Sequence, residues 1–163
     1  MRGGNRKAKG KMDIHIRWMI RRDMPEVLAI EDEAFEFPWP EEEFIKFLRQ
    51  RNCIGMVAEY DEQVVSHMMY AIHPNRLELL SLAVKKKWRR EQIGSRMIDK
   101  LLSKLHGKRK KIQTLVRETN LPALLFLRSN RFLATDLRRN YYDELREEDA
   151  IEMTFQLRER AKV

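Results

Sequence analysis

The sequence predicts an α/β fold of the α+β kind, in which helices interrupt a mixed, mostly antiparallel sheet with one crossover connection. Two observations carry that prediction. Cys53 to Tyr60 and Gln63 to Ala71 are strand-like runs separated only by Asp61-Glu62, so they form an antiparallel hairpin. The apolar run Leu77 to Val84 is followed by the basic turn Lys85-Lys86-Lys87-Trp88-Arg89-Arg90, then by Gly94 and a helical pattern. In that pattern Ile93, Met97, Ile98, Leu101, Leu102 and Leu105 recur at helix spacing, with Arg96, Asp99, Lys100 and Lys104 between them. Such a stripe needs a sheet to cover.

The remaining elements follow in order, without an internal repeat. Ile14 to Met19 reads as a first strand. Asp23 is expected to cap a helix, with Pro25 in its first turn and Glu26 completing a capping box. Val27, Leu28, Ile30, Ala34 and Phe35 give that helix its apolar face. Pro38 and Pro40 end it and open a second, with Phe44, Phe47 and Leu48 inward. His73-Pro74-Asn75 makes a turn before the strand at Leu77. After the third helix come a basic turn (Gly107 to Lys111), a strand through Val116, and a fourth helix from Leu121 to about Ser129. Strands near Phe132 to Leu137 and Ala150 to Leu157 complete the set.

With 163 residues, 43% of them hydrophobic, the chain suits a single domain with a real core despite 36% charged residues. Residues 1–12 read as a basic disordered arm and 13–163 as the domain. Arg2, Arg6, Lys7, Lys9 and Lys11 account for five charges of the formal +8, leaving about +3 on the rest. A solvating tail is one use of such an arm; weak contact with RNA is the other. The single cysteine, Cys53, excludes an intrachain disulfide framework and favours a reducing compartment. His15, His67, His73 and His106 are dispersed, so no metal is expected. With neither a membrane span nor a signal-peptide core, no membrane partner is expected and a cytoplasmic location is read.

A strand that delivers cationic residues and open backbone N–H groups to a helix N-terminus is suited to phosphate. The segment from Leu77 to Leu105 therefore points to a nucleotide-tailed cofactor. It also resembles the GNAT acyl-CoA N-acyltransferases, whose pyrophosphate loop reads Q/R-x-x-G-x-G/A. Here the six positions are Arg89-Arg90-Glu91-Gln92-Ile93-Gly94, with Gln92 in place of the middle glycine. Within that superfamily the chain is similar to the ribosomal-protein-alanine N-acetyltransferases, the RimI type. Further matching segments, in order, are Phe37-Pro38-Trp39, Leu82-Ala83-Val84, Val116-Arg117-Glu118-Thr119-Asn120, and Asn140-Tyr141-Tyr142 with Glu148-Asp149-Ala150. The resemblance runs from about Ile16 to Leu157.

The resemblance implies a GNAT fold whose strands around Leu82 and Val116 are parallel neighbours that splay apart to admit acetyl-CoA. The pantetheine arm would bond the backbone of Leu82, Ala83 and Val84. The pyrophosphate would rest on the amides of Arg90, Glu91, Gln92, Ile93, Gly94 and Ser95, with Arg89 balancing charge and Asn120 touching the cofactor. Phe37, Trp39 and Tyr142 would bind the acceptor, a protein N-terminus. Glutamine enters the left-handed region, or lets a phosphate approach, less readily than the glycine it replaces, so cofactor affinity is expected to be reduced; binding is not excluded, since a loop of right-handed geometry still aims its amides inward.

Two positions depart from the family's chemistry. Its glutamate base corresponds to Leu115 and its tyrosine general acid to Leu127, and neither leucine moves a proton. Arg131 likewise replaces a glycine before Phe132. Glu78 is then expected to serve as base, assisted by Tyr141. The implied activity is acetyl transfer from acetyl-CoA to the α-amine of a protein N-terminus, by direct attack on the thioester. The alternatives are an inactive module that holds acyl-CoA, peptide or ribosome, and a nucleic-acid binder using the arm and Lys108-Arg109-Lys110-Lys111.

Overall fold

The structure, a computed structural model, describes residues 12–158, so the arm lies outside the described residues except for Met12. Seven strands form one sheet in the order β1-β2-β3-β4-β5-β7-β6. The strands are β1 (His15–Trp18), β2 (Cys53–Tyr60), β3 (Gln63–Ile72), β4 (Leu77–Val84), β5 (Lys111–Arg117), β6 (Leu133–Tyr142) and β7 (Glu148–Gln156). The helices are α1 (Met24–Ala34), α2 (Glu41–Leu48), α3 (Ile93–Leu102) and α4 (Leu121–Ser129). All neighbours are antiparallel except β4 and β5, which the α3 crossover makes parallel.

The β2–β3 hairpin closes through Asp61 and Glu62 at φ 48° and 60°, the doubly left-handed turn whose twist matches two antiparallel strands. β3 is buried on both faces from Val64 to Ala71, which is why its sequence is mostly apolar rather than alternating, with Ser66 and His67 the buried polar exceptions. On one face Met68, Tyr70, Leu77 and Ile112 meet Met97, Ile98 and Leu101 of α3 and Leu127 of α4. On the other, Val57, Val64, Met69 and Ala83 meet Val27 and Ile30 of α1 and Phe44 of α2.

Several local expectations are corrected. Asp23 makes no capping bond to α1. Its carboxylate instead accepts from Arg17 at 2.7 and 2.8 Å and from the Ile20 N–H at 2.8 Å. Glu26 does not complete a capping box; its carboxylate accepts from the Val64 N–H at the start of β3, at 2.9 Å. A cation and an open strand-end amide offer these carboxylates better partners than the helix does. α3 stops at Leu102, and Leu105 packs on the core from the turn beyond. β6 continues past Leu137 to Tyr142, held to β7 by irregular register.

What positions the site is the fork between β4 and β5. These strands pair only at Leu77 with Ile112 and Glu78 with Gln113. β4 nevertheless stays on β3 as far as Val84. In the crotch, Thr114 Oγ1 donates to the Leu79 carbonyl at 2.8 Å. Leu80 is a bulge residue with no partner between Tyr70–Leu79 and Met69–Ser81, and the bulge turns β4 away from β5.

Candidate active site

Beyond the fork lie two cavities that share Phe35, Leu82, Asn120, Ala123 and Phe126 in their walls. The larger, about 600 Å³, runs from the β4 edge to the start of α3. It gathers Leu82, Ala83, Val84, Arg89, Arg90, Gln92, Ile93, Gly94, Ser95 and Asn120; Glu91 is not on its wall. The smaller, about 250 Å³, is bounded by Phe37 and Trp39 from the α1–α2 connection, by Tyr142 at the end of β6 and by Glu144 just after it.

The loop before α3 is shaped by two left-handed residues, Arg90 at φ 68° and Gln92 at φ 62°. At Gln92 the backbone keeps the conformation that glycine adopts freely, and glutamine carries its strain. Arg131, also in a glycine position, does the same at φ 69°. No side chain caps the first turn of α3, so its amides face the cavity as donors beside Arg89 and Arg90. The Arg89 Nε–H donates to the Val84 carbonyl at 3.1 Å, folding the loop back on the strand end. Gly94 serves close approach: a Cβ there would come within 3.0 Å of the Phe126 ring. Polar strand edge, helix-start amides, paired arginines and an apolar floor together fit a long anionic thioester such as acetyl-CoA.

Asn120 caps α4, its Oδ1 accepting from the Ala123 N–H at 3.3 Å. This holds the side chain at the wall common to both cavities.

The acceptor side is organised by Arg117 at the end of β5. Its guanidinium lies 4.2 Å from the Phe37 ring centre and 3.9 Å from that of Tyr142. It also pairs with Glu144 at 2.8 Å and Glu148 at 3.1 Å. Arg146 then bridges Glu36 at 3.3 Å and Glu148 at 3.7 Å, tying the two lips of the mouth together. Thr119 donates a short hydroxyl bond to Glu148, which with Arg117 holds that carboxyl below its ordinary range. Trp39 stacks on Phe47 and meets Phe44 edge-on, so it is clamped as well as exposed to the cavity.

Leu115 and Leu127 both line the smaller cavity. Glu78 stands at the paired end of the fork with its carboxylate 2.8 Å from His73 Nε2, and it lines neither cavity. Tyr141 is half exposed and packs edge-on against Tyr142, outside both walls. Sequence reasoning missed Glu31, Ser81 and Thr114, which the fold brings to the acceptor cavity. The signal for Glu31 was a carboxylate inside an otherwise apolar helix stripe. Among the described residues no cluster of His, Cys, Asp and Glu could hold a metal, and no helix is long and apolar enough to cross a membrane.

Residues 24–132 match the family model described as Acetyltransferase (GNAT) family. The chain is 27% identical over 135 residues to the [Ribosomal protein bS18]-alanine N-acetyltransferase of Salmonella typhimurium, covering 80% of this chain and 89% of that protein. Its fold is similar to that of the Escherichia coli ribosomal-protein-S18-alanine N-acetyltransferase, with a TM-score of 0.79, 22% identity and coverage of 91% and 97%. Ard1 of Thermoplasma volcanium is similar in fold too, at 0.78, 21% identity and coverage of 90% and 99%. With 109 of its 163 residues inside the family model, the chain belongs to the GNAT acetyltransferase family.

Proposed function

We propose that this chain transfers the acetyl group of acetyl-CoA to the α-amine of a protein N-terminus, of the ribosomal-protein-alanine type. The observation that carries the reading is the fork: the open edge of β4 beyond Glu78 faces two cavities that meet at Leu82 and Asn120. The pantetheine arm lies along Leu82, Ala83 and Val84 as an added strand, and the pyrophosphate sits on the first turn of α3. The acceptor enters between Phe37, Trp39 and Tyr142. The name of the Salmonella relative supplies the acceptor class.

The α-amine is favoured over a lysine side chain on energetic grounds. With a pKa near 7.7–8.0 it costs only about 1 kcal/mol to neutralise at pH 7, against roughly 4–5 for a lysine. Proximity of amine and thioester then supplies much of the acceleration. Leu115 and Leu127 favour a second reading, a module that binds acyl-CoA and peptide without turnover.

Titration calorimetry with acetyl-CoA, followed by thiol release with an alanine-starting peptide, separates the two. Binding with release supports the transferase; binding without release across several peptides supports the module. No binding removes both readings.

A further inference from the structure

The acceptor cavity contains a buried carboxylate that the binding groups described above leave without a task. Glu31 is only 2% exposed, yet it lies on the wall of the smaller cavity. Ser81 Oγ donates to its Oε2 at 3.1 Å, and the Trp39 N–H donates to Oε1 at 3.3 Å. His67 Nε2 is 2.9 Å from Oε2, an ion-pair distance without the alignment of a hydrogen bond. His67 is fully buried, and neither of its ring nitrogens has an aligned partner.

A carboxylate taken out of water is costly unless its oxygens are bonded. Here two donors from different elements hold it beside the β4 bulge, at the level where the strand leaves β5. The other carboxylate on that wall, Glu144, is paired with Arg117 at 2.8 Å and stands at the mouth. Leu115 and Leu127 accept no proton.

Resting on the transferase reading, we propose that Glu31 is the proton acceptor for the attacking amine. The neutral amine forms the N–C bond to the acetyl carbon, and the C–S bond breaks with its electron pair leaving on sulfur. The surplus proton on nitrogen passes to the Glu31 carboxylate and from there to the departing thiolate, so that amide and thiol are the products. Ser81 and the Trp39 amide are positioning groups that keep the carboxylate turned to the cavity. His67 stands behind it as a buried neighbour.

The test is steady-state turnover of the full chain with acetyl-CoA and an alanine-starting peptide, comparing Glu31→Gln, Ser81→Ala and Glu78→Gln. Glutamine keeps an oxygen for the Trp39 N–H and can donate its amide N–H to the Ser81 hydroxyl, but it accepts no proton. The expected result is a fall in kcat of about 10²-fold or more in Glu31→Gln, with acetyl-CoA affinity and peptide KM within about threefold of the parent. Added formate should restore turnover to Glu31→Gly, a rescue that a merely structural role would not produce. If Glu31→Gln does not fold, Ser81→Ala decides: a fall in kcat of about tenfold at unchanged KM supports the proposal, and unchanged kcat overturns it. Full turnover in a folded Glu31→Gln, or loss confined to Glu78→Gln, also overturns it. Absence of turnover in the parent chain that still binds acetyl-CoA would instead sink the transferase reading on which the proposal stands.

Discussion

Arg117 lies with its guanidinium carbon 3.9 Å from the centre of the Tyr142 ring, at the junction of β5 and β6 across the intervening β7. The contact joins the fork to the acceptor mouth, because the same arginine touches Phe37 and pairs with Glu144 and Glu148. An arginine can stack and form several directed bonds at once, which a lysine cannot.

Arg117→Lys should therefore loosen the mouth although the charge is kept. Losing the stacked contacts is expected to cost about 1–2 kcal/mol. That corresponds to a fall in Tm of roughly 2–8 °C for a chain of this size. Differential scanning calorimetry measures the fall, and peptide KM should rise with acetyl-CoA affinity unchanged.

Gly94→Ala should weaken acetyl-CoA binding. The added Cβ would meet Phe126 Cε2 and Cζ at 3.0 Å, so the ring must shift, and the space open to it is that of the cavities whose walls it forms. Overpacking of this kind costs about 1–3 kcal/mol. Calorimetric affinity for acetyl-CoA should fall about tenfold, the equivalent of about 1.4 kcal/mol.

Gln92→Gly should act in the opposite direction. Glutamine at φ 62° holds a conformation that glycine takes without strain. Relief is worth about 1 kcal/mol, partly offset by the greater freedom of glycine in the unfolded chain. Acetyl-CoA affinity should be equal or tighter, whereas β-branched Gln92→Ile should weaken it.

Leu127→Tyr offers the departing thiolate a proton donor where the acceptor cavity has a leucine. If the chain is a slow transferase, kcat should rise by about 10²-fold. Leu127 is 4% exposed, so calorimetry should accompany the assay to register the strain of the larger ring.

Acid should loosen two ties. Glu148 is held below its ordinary value of 4.5 chiefly by the Thr119 hydroxyl, aided by Arg117 and opposed by burial. Asp23 is held below 3.8 chiefly by Arg17. A carboxyl depressed on folding stabilises the protein above its unfolded pKa, and that contribution is lost as pH falls through the lower folded value. Tm should thus drop steeply below about pH 4.5, and Glu148→Gln should flatten part of that drop.

The sequence by itself determined the elements and their order. The hairpin at Asp61-Glu62, the β4 run, the stripe of α3 and the helix at Leu121 are all local patterns, set by side-chain periodicity and turn chemistry within a few residues. It also brought forward the loop from Arg89 to Ser95, since a phosphate-binding turn is contiguous in the chain. Tertiary structure decided the partners. Asp23 and Glu26 look like a cap and its box, yet Arg17 and the Val64 amide lie nearer in space and bind them more strongly. Gln92 keeps a left-handed backbone because the junction of β4 and α3 dictates the path, whatever side chain stands there. Glu78 is turned to His73 at the closed end of the fork, while Glu31, distant from it in sequence, is brought to Ser81 and the cavity. Such pairings depend on which strands separate and which helices cross them, and no local window of residues contains that information.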